Sequence, residues 1–62
     1  MTLQEEMIQY RAKNNLSQRR FAELCNISIV TLNNVERGAQ KPSALTEAKI
    51  RMVIKGESSN ED

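Results

Sequence analysis

Between Gln18 and Gly38 the sequence QRRFAELCNISIVTLNNVERG carries two short amphipathic runs around a tight turn, each opened by a serine and closed by Asn or Gly. Ser17 and Ser28 stand where a hydroxyl accepts from the free N–H groups that begin a helix. Ahead of each serine is an apolar residue, Leu16 or Ile27, spaced to pack on Phe21 or Leu32 as a hydrophobic staple. Asn26 and Gly38 tolerate the left-handed conformation that stops a helix. Such punctuation leaves little freedom: the segment is two helices held at a sharp angle.

The same devices recur on both sides. Thr2-Leu3-Gln4-Glu5 has capping-box spacing, and the helix it opens lines up Leu3, Met7 and Tyr10 before Asn14-Asn15 end it. Beyond the loop Ala39–Pro42, Ser43 caps a fourth helix that runs to about Lys55, with Gly56 as its stop. Phe21, Leu24 and Cys25 form the expected buried stripe of the second helix, and Leu32 and Val35 that of the third. No strand-period alternation, hairpin signal or internal repeat interrupts the pattern. The expected class is all-α: a compact four-helix domain over residues 1–55, then a disordered acidic tail over 56–62.

Sixty-two residues hold one domain at most. With Phe21 and Tyr10 as the sole aromatics, its core is aliphatic. A single cysteine and no histidine exclude an internal disulfide and a zinc set, and suit a reducing cytosol. No apolar run approaches a membrane span and no basic-then-apolar leader opens the chain, so a soluble, unprocessed, cytoplasmic protein is expected. The net charge of +1 conceals an asymmetry, because residues 1–55 carry nine Lys and Arg against five Glu, a net of +4. Glu57, Glu61 and Asp62 supply the remaining acids. That distribution is compatible with a phosphate-facing surface.

Two capped helices at this spacing are most often a helix-turn-helix, whose second helix enters the DNA major groove. The chain as a whole resembles the lambda-repressor and Cro, or Xre-like, family of regulators. Leu16-Ser17-Gln18, Phe21, Ala22, Cys25, Ile27, Leu32, Val35, Glu36-Arg37-Gly38 and Pro42-Ser43 carry the likeness, which runs from about Leu3 to Ile54. Asn26 replaces the usual turn glycine. Ala22 must be small for the third helix to cross close to it. The resemblance further implies a largely buried salt bridge between Arg11 and Glu36, the lambda-repressor-like fold, double-stranded DNA as partner, and a bacterial or phage source. It also implies two-fold dimers on palindromes with half-sites about 34–36 Å apart.

On the third helix the residues turned away from Leu32 and Val35 are Ile29, Val30, Asn33, Asn34 and Arg37, with Ser28 at the edge. Asn34 and Asn33 can offer a carboxamide to the N6 and N7 edge of adenine, and Ile29 and Val30 can pack on thymine methyls, which favours an A·T-leaning half-site. Gln18, in the first turn of its helix, is placed to hold a phosphate with its side chain and backbone N–H groups. Arg19, Thr31, Arg37, Gln40 and Lys41 complete the phosphate candidates. Leu45, Ile50, Val53 and Ile54 are candidates for a homodimer contact on the fourth helix, or for the monomer core.

A small Cro-type repressor without a separate effector domain, ligand or cofactor is the leading reading. An interaction module of antitoxin or anti-repressor type, anchored by Ile29 and Val30, is the alternative. Catalysis is disfavoured, since neither histidine, a metal cluster nor a Gly-rich phosphate loop accompanies the Arg11 and Glu36 pair. Cys25 lies on an apolar stripe and is expected in the core rather than as a nucleophile.

Overall fold

In the computed structural model, which describes residues 1–56, every helix starts and stops on its own side chains. Helix α1 spans Leu3–Asn14, α2 Gln18–Cys25, α3 Ile29–Arg37 and α4 Ala44–Lys55. Thr2 and Glu5 form the reciprocal capping box, with the Glu5 N–H donating to Thr2 Oγ1 and the Thr2 N–H to Glu5 Oε1. Ser17, Ser28 and Ser43 each accept from the N–H three residues on, at Arg20, Thr31 and Thr46. All four helices end in the left-handed region, at Asn15 (φ 55°), Asn26 (φ 59°), Gly38 (φ 76°) and Gly56 (φ 71°). An Asn accepts this conformation at a smaller strain than most residues, and Gly without any.

The interior is assembled from all four elements. Leu3 and Met7 of α1, Phe21, Ala22 and Cys25 of α2, Leu32 and Val35 of α3, and Ile50 of α4 are buried. Tyr10 closes one side with its ring 5.5 Å from that of Phe21, while Leu16 and Ile27, the staple residues, pack against the cluster. Each fully buried large side chain contributes about 1.5–3 kcal/mol. Outside the core, Arg51 of α4 ties back to α1 by donating to Glu6 Oε1 at 3.2 Å, while its Nε donates to Glu47 at 2.8 Å.

Two expectations need correction. Leu24 is 42% exposed, and Ala22 takes its place in the buried stripe. The buried arc of α2 runs through Phe21, Ala22 and Cys25 and leaves Leu24 at its margin. Ile50 is fully buried, so it fills the monomer core and has no surface for a dimer contact. Val53 and Ile54 also pack against the core, whereas Leu45 is 67% exposed. The expected tail at 56–62 lies, Gly56 apart, outside the described residues.

Candidate nucleic-acid interface

The surface formed by α2 and α3 is organised from beneath by one ion pair. Arg11 near the end of α1 donates from Nε to Glu36 Oε2 at 2.8 Å and from its NH2 nitrogen to Oε1 at 3.0 Å, a bidentate fork. Its NH1 nitrogen also donates to the Leu16 carbonyl at 3.3 Å, so one guanidinium binds α3, the α1–α2 connection and its own helix together. The Glu36 side chain is only 5% exposed and that of Arg11 23%. Donors of this kind offset the solvation that a carboxylate loses when buried to this degree.

Gln18, the first residue of α2, is the third donor to that carboxylate. Its Nε2 donates to Glu36 Oε1 at 3.0 Å and to Asn33 Oδ1 at 3.3 Å. No local pattern signals this engagement, since Gln18 stands out in the sequence only as a first-turn residue. Its side-chain hydrogens are therefore committed inside the protein, not free for the phosphate contact expected of them. Ser17 satisfies Arg20 through its hydroxyl and Phe21 through its carbonyl, and no hydrogen bond is made by the N–H groups of Gln18 and Arg19 among the described residues. Those two groups open the positive end of the α2 dipole.

Beside that end lies the solvent face of α3. Val30 is 65% exposed, Arg37 is exposed, and Asn34 and Asn33 are half-covered. Ile29 is half-buried and packs against the core, which leaves it less to offer a groove than its position suggests. At the helix start, the Ser28 hydroxyl donates to Thr31 Oγ1 at 2.9 Å while accepting from the Thr31 N–H. Asn34 Nδ2 donates to Gln40 Oε1 at 3.4 Å across the loop after α3. Arg19 and Lys41 are exposed, whereas Arg20 pairs with Glu23 on the surface.

Elsewhere the chemistry is sparse. Burial pushes the Cys25 thiol up to about 11, which makes it a poor nucleophile near neutrality. No helix among the described residues is long and apolar enough to cross a membrane.

Two short helices joined through the left-handed turn at Asn26, the first with unbonded N–H groups at its start and the second tied to that start by the Gln18–Asn33 hydrogen bond, have the arrangement of a helix-turn-helix. Residues 7–55 match the helix-turn-helix family, of the Xre and lambda-repressor-like kind, and the chain belongs to that family. Its members are DNA-binding transcription regulators rather than enzymes. No curated protein and no solved structure matched the chain.

Proposed function

We propose that the chain is a sequence-specific repressor of the Cro type, which occupies a palindromic operator as a two-fold dimer with α3 in the major groove. The observation that carries this reading is the juxtaposition of two unlike surfaces. The unpaired N–H groups at the start of α2 lie beside the exposed arc of α3, joined to it by the Gln18–Asn33 hydrogen bond. A phosphate fits the first and base edges the second. Val30, Asn33 and Asn34 are the principal base contacts, with Ser28 and the rim of Ile29 at the margin. Arg19, Thr31, Arg37, Gln40, Lys41 and the Gln18 backbone are the phosphate contacts. The charge of +4 on residues 1–55 supports the same assignment.

The dimer contact is proposed on the outer face of α4. Leu45 and Met52 are 67% and 47% exposed there, seven residues apart and therefore on one stripe, with Val53 and Ile54 half-buried at its edge. The interaction-module reading rests on Val30, a large apolar side chain left at 65% exposure in the first turn of α3. Selection of bound sequences from a random DNA pool separates the two. A repressor yields a palindrome whose half-sites are centred about 34–36 Å apart. Failure to bind any duplex at low salt refutes DNA recognition, and a single unpaired half-site refutes the dimer.

A further inference from the structure

Asparagine is ambiguous as a base reader, because its carboxamide has an accepting end and a donating end of nearly the same shape. At Asn33 the hydrogen-bond chain beneath it removes the ambiguity. Arg11 has only donors and Glu36 only acceptors, so the polarity of everything bonded to them is fixed. Glu36 Oε1, already accepting from Arg11, accepts from Gln18 as well, which requires the Gln18 amide to present its nitrogen. The second hydrogen of that nitrogen goes to Asn33 at 3.3 Å, so Asn33 presents its oxygen inward and its NH2 group outward, on the flank of α3 beside Arg37.

We propose that Asn33 reads DNA as a donor only, and that Gln18 is the positioning residue that sets its sense. This inference rests on the DNA-binding role proposed above. Bidentate recognition of adenine needs an acceptor for N6 and a donor for N7 from the same carboxamide, and the Asn33 acceptor is turned to Gln18. The outward NH2 matches a base that shows acceptors in the major groove: guanine through O6 and N7, or thymine through O4. Cytosine, which projects only an amine there, is rejected, and adenine, left with N7 alone and its N6 amine unmatched, is disfavoured. Asn34 is under no such constraint from the buried ion pair, so the adenine reading expected for both asparagines stays with Asn34 alone.

The test compares wild type, Asn33→Asp and Gln18→Ala by selection from a random DNA pool, with urea titration confirming that each variant is folded. Wild type is expected to select guanine or thymine at one position per half-site. Asn33→Asp keeps an oxygen for Gln18 but turns an acceptor outward, so the preference there inverts toward cytosine or adenine by roughly tenfold, the scale of one base contact. Gln18→Ala frees the Asn33 amide to turn and admits adenine at that position while leaving the others unchanged. Adenine selected by wild type at the position that Asn33→Asp alters overturns the proposal, as does an even loss of affinity from Gln18→Ala across all sequences. A DNA-free measurement separates this inference from the repressor reading: in the side-chain amide NMR spectrum of the wild type, the Gln18 NH2 is expected to exchange with solvent more slowly than the Asn33 NH2. Equal exchange refutes the relay whatever the DNA result, whereas slow Gln18 exchange without any DNA selectivity refutes the repressor reading and with it the reader role.

Discussion

Replacing Arg11 by Met is the sharpest probe of how the interface is held. The variant keeps the length and much of the apolar stem of the side chain but leaves the Glu36 carboxylate, 5% exposed, with Gln18 as its remaining side-chain donor. Arg11 supplies two of the three side-chain hydrogen bonds to Glu36. At about 1.5–3 kcal/mol for each bond to a charged group the loss is roughly 3–6 kcal/mol. Partial exposure of Arg11 lets water replace some of it, which sets the expectation near the lower end, about 3 kcal/mol. A chain of 62 residues has roughly 3–9 kcal/mol of stability in total, so the variant should sit at the edge of folding. Urea titration followed by far-ultraviolet circular dichroism measures the change, and the thermal midpoint should fall by roughly 12–24 °C. The double variant Arg11→Met with Glu36→Leu buries no orphaned charge and should return to within about 1 kcal/mol of wild type. A single-variant cost under about 1 kcal/mol, or a double variant as unstable as the two singles summed, would refute the argument that the fork serves to keep the Glu36 charge satisfied.

The remaining predictions concern caps, core and charge. Asn26→Gly should raise stability by about 0.5–1 kcal/mol and Asn26→Ala lower it by about 1 kcal/mol in the same titration, because φ is 59° there. Gly38→Ala should cost about 1 kcal/mol through backbone strain alone, since a Cβ would meet nothing closer than Gln4 Nε2 at 3.6 Å. For Cys25, whose folded-state pKa is raised from 9.0 to about 11, the stabilising contribution of the neutral thiol is fully present below pH 9 and lost as pH rises through 11. Cys25→Ala should flatten that part of the stability profile relative to wild type; a profile of unchanged slope would contradict it. In gel-shift titrations, Arg37→Ala should weaken all DNA sequences alike and reduce the slope of log affinity against log salt by about 1.

What could be read from the chain in advance was whatever is decided within a few residues. Thr2, Ser17, Ser28 and Ser43 begin helices, and Asn15, Asn26, Gly38 and Gly56 end them, because caps and left-handed stops act over a single turn. Burial depends on the angle at which helices meet, which no local pattern encodes. For that reason Leu24, expected in the interior, is exposed, and the choice between core and dimer contact for Ile50 is decided only by how the helices pack. The candidate site divides in the same way. The exposed face of α3 follows from its period, but the capture of Gln18 by Glu36 joins residues from two helices, and only their packing brings them within 3.0 Å.

The exposed arc of α3 is almost independent of what folds the chain. Val30 and Arg37 make no contribution to the buried cluster, and Asn34 lends its side chain only to an exposed loop residue. Substitutions at such positions usually change stability by less than about 0.5 kcal/mol. On the proposed reading, a lineage of such proteins can therefore drift to new operators by exchanging Val30 and Asn34, and tune overall affinity through Arg37, while the scaffold stays silent to selection. Asn33 is the exception: on the proposed reading it is wired to Gln18 and through it to the ion pair, so an exchange there also disturbs the hydrogen bonds that tie α2 to α3, which makes it the slow letter in an otherwise fast-evolving address.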